Sequence, residues 1–306
     1  MVVFLLGLVT TGRARATARR AAWMAASAGT GTARCCHAGQ VSSPIIDIFD
    51  QAAATYDNVG VDFFKPMGEA LVRAVAPRAG ERVLDVGCGR GAVLRAAAAA
   101  VGGRGHVTGI DLAPQMVART AAELAPLPQV TVEIGDAQDP AYAEGAFDVV
   151  TAGLVLFFLP DPAAAVVAYR RLLRPGGRLG ISSFAAYDPR LPRTMRILAG
   201  HADNPPPPPA IDPMFESAER LGAALREAGF REPASHEITA SHEITVESRF
   251  RNVPHLLEWI GSHTGKQVLD RIPPARRSAA AAKVAAELSD GPLVFASRLR
   301  ITVGVA

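Results

Sequence analysis

Residues 83–91 read Val-Leu-Asp-Val-Gly-Cys-Gly-Arg-Gly, an apolar run that ends in a carboxylate and enters a glycine turn. Glycine lets the backbone pass close to a ligand and accepts positive φ. A helix starting after such a turn offers free N–H groups to an anionic or polar group. Dinucleotide folds space this turn G-x-G-x-x-G, whereas Gly87, Gly89 and Gly91 give G-x-G-x-G, so the turn alone leaves a nicotinamide-dependent oxidoreductase as an open alternative. Twenty residues past Gly91, Asp111 ends a second apolar run, where a carboxylate can accept both hydroxyls of a ribose. Asp136 ends a third run in Gly135-Asp136-Ala137, and Arg174-Pro175-Gly176-Gly177 introduces a run ending at Ser183. Cys88 has no basic partner nearby in sequence, so it reads as a small turn residue and not as a nucleophile.

These residues need strands that end together. Strand-like stretches at 82–86, 106–110, 130–134, 147–152 and 178–183 alternate with helical stretches at 92–101, 115–124 and 163–173. Such alternation predicts an α/β fold, a doubly wound, mainly parallel sheet with helices on both faces. Helices over 45–57 and 63–76 precede it, and a helix over 216–228 and strands over 243–249 and 293–303 bring the sheet to seven, the last two as a hairpin-like pair. Residues 44–80 then form N-terminal covering helices, 81–185 the ligand-binding core, and 186–306 the completion of the sheet. Two stretches, the proline-rich 186–214 and the helical 251–290, read as lid insertions above it. Ser-His-Glu-Ile-Thr occurs at 235–239 and again at 241–245; an even six-residue period keeps each side chain on its face of a strand. It reads as a duplication, and His236 and His242 lack the companions of a metal site.

The chain has 306 residues, 49% hydrophobic and 20% charged, which excludes a mostly disordered protein, and no apolar run is long enough to span a bilayer. Five of its 32 Lys and Arg lie in the first 43 residues, which contain no acid; the remainder holds 27 bases against 29 acids, a net of −2. The basicity therefore belongs to a tail, and the body lacks the footprint of a nucleic-acid binder. Residues 1–43 read as a disordered or processing tail, as an annotation extension with the true start near Met24 or Val41, or as an organellar transit peptide; a secretory signal would carry its charge before the apolar run. Three cysteines, Cys35 and Cys36 adjacent, form no disulfide framework or metal site, and a reducing cytoplasm is the expected compartment, with an organelle as the alternative.

In order and separation, the motifs at 83–91, 109–112, 135–137 and 174–177 resemble those of class I S-adenosylmethionine-dependent methyltransferases over residues 45–184. The stretch Phe49-Asp50-Gln51 through Tyr56-Asp57 resembles the ubiquinone/menaquinone C-methyltransferase-like and bacterial small-molecule branch. The resemblance implies S-adenosylmethionine as cofactor and S-adenosylhomocysteine as product. It places Gly87, Cys88, Gly89 and Gly91 at the methionine end, with Asp85 anchoring the turn or the amino group. Asp111 takes the ribose diol, Leu112 and Met116 bracket the adenine, and Asp136 with the Ala137 backbone reads its amino group. Gly153 and Leu154 close the site, and Tyr56 reaches the cofactor carboxylate. A cofactor-binding member of the fold without transfer activity is a further alternative.

Methyl transfer from a sulfonium is an in-line displacement that needs alignment more than a dedicated triad. The chain after the fourth strand, Ala152 to Asp161, lacks the Asn/Asp-Pro-Pro-aromatic element of nucleic-acid amino methyltransferases. The expected acceptor is thus a small, partly apolar molecule methylated on O, C or N, in specialised metabolite or quinone biosynthesis. Phe158, Phe215, Leu256 and Trp259 are candidate lining residues, and His255, His263, His201 and Tyr187 candidate bases. No metal, nucleic acid or stable membrane insertion is expected; the partners expected are the small-molecule acceptor and, as an alternative to a monomer, a second copy of the chain in a homodimer.

Overall fold

The computed structural model describes residues 44–207, 211–233, 241–288 and 291–306. Seven strands among them form one sheet: β1 (Arg82–Val86), β2 (His106–Asp111), β3 (Val130–Ile134), β4 (Phe147–Gly153), β5 (Leu173–Ala186), β6 (Ser241–Phe250) and β7 (Leu293–Val305), in spatial order β3-β2-β1-β4-β5-β7-β6. The first five are parallel, and β7 runs antiparallel to both β5 and β6. Helices α1 (Pro44–Ala52), α2 (Phe64–Val75), α3 (Ala92–Val101), α4 (Pro114–Leu124) and α5 (Pro162–Leu172) come before β5 is complete. They are followed by α6 (Arg190–Ala199), α7 (Ala218–Glu227), α8 (Val253–Gly261), α9 (Lys266–Asp270) and α10 (Pro274–Leu288). None is long and apolar enough to cross a membrane.

Alternation along the buried strands divides the core between the two faces of the sheet. Val83, Val107 and Val149 pack with Leu71 and Val75 of α2 and Leu94 and Ala97 of α3. Leu84, Ile110 and Val150 pack with Val166 and Tyr169 of α5 and Leu221 and Leu225 of α7. The first of these clusters extends without a break through Met195 of α6, Leu256 and Trp259 of α8, and Val284 of α10, so the described residues 251–288 share the main core.

Three local expectations change. The first helix stops at Ala52, so Tyr56 lies in the turns that follow it. The proline-rich stretch contains α6: Pro192 falls in its first turn, where the backbone N–H has no intrahelical partner to lose, and the Asp188 carboxylate accepts from Arg190 N at 3.0 Å. β5 begins at Leu173 and carries Arg174–Gly177 within it, tied to the chain end by Gly176 N to Ala306 O at 2.9 Å. The first Ser-His-Glu-Ile-Thr copy, like the tail, lies outside the described residues; the second opens β6.

Candidate active site

Successive crossovers build the sheet outward from β1 to β3 on one side and from β4 onward on the other. Open α/β sheets bind ligands at this switch point, outside the carboxyl ends of the strands. A cavity of about 320 Å³ lies there. Asp85, Gly87, Cys88 and Gly89 line it after β1, Asp111, Leu112 and Met116 after β2, Asp136 and Ala137 after β3, and Gly153 and Leu154 after β4. Parallel strands bring these four loops to one edge.

The Asp111 carboxylate braces the glycine turn, its Oδ2 accepting from Gly89 N and its Oδ1 from Ala113 N, both at 2.9 Å. Thr120 Oγ1 donates to Gly89 O at 2.8 Å from α4. Gly89 has φ +48° and open space where a Cβ would stand, so the turn presents bare backbone to the cavity. At Gly87, φ +65°, a Cβ would meet Val155 Cγ2 at 2.4 Å, which lets the loop after β4 close against the turn. In that loop Leu154 holds φ +56°, a costly conformation for a branched side chain, and its N–H donates to Ser182 O at 3.2 Å. Asp136 Oδ1 accepts from Gln138 N at 2.8 Å at the exposed rim, and Tyr169 OH donates to Ala137 O at 2.6 Å from below.

Three carboxyls in this wall resist ionisation. Burial pushes Asp85 up to about 7, against a 2.7 Å hydrogen bond from Thr151 Oγ1. Burial likewise raises Asp57 to about 6 and raises Asp111 despite its backbone donors. A pocket whose acids are held back by lack of water gains by enclosing a cation. Burial also pushes the Cys88 thiol well above its ordinary range, which removes the thiolate a nucleophile needs.

The remaining wall is largely apolar. Ile45, Ile46 and Phe49 of α1, Tyr56, Phe63 and Phe64, Phe158, Phe184, Tyr187, His263, Thr264 and Gln267 form it. Tyr56 stacks on Phe64 at 4.8 Å and 18°, Phe49 meets Phe158 edge-on at 5.2 Å, and Phe184 lies 4.4 Å from Tyr187. Burial raises the Tyr56 and Tyr187 phenols, so both are neutral.

Six expected site residues do not line the cavity. His255 is committed on both nitrogens, Nδ1 accepting from Arg251 N at 3.1 Å and Nε2 donating to Val59 O at 2.8 Å; it ties α8 to the segment after α1. His201 Nδ1 pairs with Ile197 O at 2.9 Å within the end of α6. Leu256 and Trp259 are buried in the core because α8 lays its apolar face on the sheet, with Trp259 edge-on to Phe63 and Phe250. Phe215 packs on Phe157 and gives its carbonyl to Arg300 Nη1 at 3.0 Å. Gly91 caps α3 and permits close packing, a Cβ there lying 3.1 Å from Thr120 Cγ2.

Sequence reasoning missed Arg90, Asp57, Phe49, Phe64, Thr264 and Gln267 in the wall. For Phe49 a signal existed in the apolar spacing of Ile45, Ile46 and Phe49 on one helical face. Arg90 pairs with Glu123 through Nη2, while its Nη1 is buried without a partner among the described residues. Arg90 also borders a second cavity of about 470 Å³ together with Tyr56, Asp57, Lys65 and Glu69.

A methyltransferase-domain family model matches residues 84–181. The chain is 38% identical over 262 residues to nocamycin O-methyltransferase of Saccharothrix syringae, covering 79% of this chain and 90% of the relative. It is 44% identical over 141 residues to aklanonic acid methyltransferase DauC of Streptomyces sp. strain C5, covering 45% of this chain and 64% of the relative. With demethylmenaquinone methyltransferase of Staphylococcus aureus strain MRSA252 it shares 27% over 210 residues, 67% of this chain and 84% of the relative. Among solved structures, the YcgJ protein of Bacillus subtilis shares the fold with a TM-score of 0.52 at 18% identity, over 78% of this chain and 97% of the other. None of these three curated relatives is named as an oxidoreductase. The motif order, the cavity at the switch point and these relatives agree: the chain belongs to the class I S-adenosylmethionine-dependent methyltransferase superfamily, with S-adenosylmethionine as its cofactor.

Proposed function

We propose that the protein methylates an oxygen atom of a small, largely apolar molecule of specialised metabolism. The observation that carries this reading is the two-part wall of the 320 Å³ cavity: a glycine turn ringed by carboxylates, continuous with an aromatic lobe built by Phe49, Phe63, Phe64, Phe158, Phe184 and Tyr187. Its nearest functional support is the O-methyltransferase name of the relative that spans most of the chain.

The residues present fit the cofactor. Gly89 leaves room in the cavity that a Cβ would fill, and the unpartnered Arg90 Nη1 and the half-paired Asp85 offer opposite charges to the carboxylate and ammonium of a methionine end. In this reading Asp111 holds the ribose diol, Leu112 and Met116 flank the adenine, and Asp136 and the Ala137 backbone read its amino group. Leu154 and Gly153 close the wall, while Tyr56 packs over it from the turn after α1. When bound, S-adenosylmethionine supplies a methyl group already activated on a sulfonium. The chain's own task is therefore to align the acceptor and exclude water, for which the aromatic lobe and the segments 186–207 and 251–288, contributing Tyr187, His263, Thr264 and Gln267, serve as the cover.

The test is S-adenosylhomocysteine formation with a panel of hydroxylated and carboxylated polycyclic aromatics, set beside their amino analogues, duplex DNA and transfer RNA. Turnover with the aromatics supports the reading; turnover confined to nucleic acid, or to amines, overturns it.

A further inference from the structure

We propose that His263 Nε2 is the atom that holds the acceptor's hydroxyl and receives its proton, so that the enzyme selects a neutral O–H over a carboxylate; this rests on the O-methylation reading above. Ser262 Oγ donates its one proton to Trp259 O at 2.8 Å. At 3.3 Å from His263 Nδ1 it can then act only as an acceptor, which places the imidazole proton on Nδ1. Nε2 is left with a lone pair, and that atom is buried with no donor to it among the described residues. A buried acceptor left unpaired is costly. Trp259 Nε1, on the ring packed edge-on at 4.6 Å, is a buried donor likewise without a partner among the described residues and makes no hydrogen bond to Nε2; because His263 lies in the cavity wall, the missing donor is assigned to a ligand group.

The ring cannot easily turn away. Trp259, Tyr56, Phe64 and Phe63 surround it edge-to-face at centroid distances of 4.6, 5.4, 5.6 and 6.4 Å. The cofactor's own donors, its ammonium, ribose hydroxyls and adenine amino group, have Asp85, Asp111 and Asp136 as partners, which leaves the acceptor's O–H for Nε2. Burial pushes the imidazole down to about 3, so it waits neutral. During transfer the acceptor oxygen forms its bond to the methyl carbon and the S–C bond breaks with its pair on sulfur. The O–H pair stays on oxygen and the proton moves to Nε2, to be given to water after product release. The enclosed positive charge is the same before and after, so the imidazolium adds no charge to the cavity. A carboxylate would instead set lone pairs against the Nε2 lone pair.

The experiment compares 2-naphthol with 2-naphthoate on the full chain loaded with S-adenosylhomocysteine. Expected are a histidine ¹⁵N spectrum with His263 protonated on Nδ1 and bare on Nε2, an Nε2 resonance that moves on adding 2-naphthol, and tighter binding of 2-naphthol than of 2-naphthoate. His263→Leu should erase that preference, about a tenfold change for one hydrogen bond. His263→Gln, which keeps an acceptor atom, should retain it. In both variants methyl transfer to 2-naphthol should fall by about a hundredfold or more while S-adenosylhomocysteine affinity stays within about threefold. A proton on Nε2, no preference for 2-naphthol in the wild type, or undiminished transfer in His263→Leu would overturn the assignment. Wild-type turnover of carboxylates only would also overturn it while leaving O-methylation standing, whereas absence of any oxygen methylation would count against the broader reading.

Discussion

Replacing Asp111 separates the turn it braces from the ligand it is assigned. Its carboxylate accepts two backbone N–H groups at 2.9 Å, from Gly89 and Ala113. Asp111→Asn keeps one acceptor oxygen but turns an NH₂ toward the other backbone donor, so one charge-assisted hydrogen bond is lost, about 1.5–3 kcal/mol before allowance for water entering from the cavity. The expected fall in folding stability is therefore about 1–2 kcal/mol, read as a shift in urea midpoint at constant slope. Loss of ribose contacts should weaken S-adenosylhomocysteine binding by about 1–3 kcal/mol, roughly 5- to 150-fold in Kd by calorimetry. Asp111→Ala, which removes both oxygens, should lie at the upper end of both ranges. An Asp111→Asn protein that folds and binds with Kd within about threefold of wild type would refute the placement of the ribose at this carboxylate.

Gly89→Ala should cost about 1 kcal/mol in stability because φ is +48°, yet reduce cofactor affinity by much more, since its Cβ meets no protein atom and enters the cavity; denaturation and calorimetry on the same variant separate the two. Asp85, raised from 3.8 to about 7, must ionise to hold an ammonium, so cofactor affinity should climb as pH rises through about 7, with proton release visible as a dependence of binding enthalpy on buffer, and Asp85→Asn should flatten the profile. Asp85's own contribution to stability without ligand runs the other way: between pH 3.8 and about 7 the folded state binds the proton that the unfolded state has released, so stability falls as pH rises across that window. Cys88 should resist alkylation at pH 8 in the native protein and react promptly on unfolding, as followed by mass spectrometry of its peptide; rapid native labelling would contradict its burial and raised thiol.

The cofactor half of the cavity was legible because each of its residues sits at the end of a local strand-to-helix unit. Once the strands are parallel, Asp85, Asp111 and Asp136 have no choice but to share an edge, however the rest of the chain packs. The acceptor half lacked such a rule. His255 and His263 are both histidines in the same helical stretch, yet one hydrogen-bonds a carbonyl of Val59, 196 residues away, and the other faces the cavity. Leu256 and Trp259 looked as suitable for a pocket as Phe64 or Phe184, and only the packing of α8 on the sheet turned them inward.

Composition, periodicity and motif spacing thus determined the layered architecture and the edge of the sheet that binds, because those depend on short stretches of chain and on the handedness of their connections; the kind of ligand came from the resemblance of those motifs to a known family. Tertiary structure decided the aromatic surroundings of His263, the orphaned nitrogen of Arg90 and the membership of the aromatic lobe. Each of these is set by contacts between segments far apart in sequence, and a side chain's direction there follows from which neighbour arrives to pack against it.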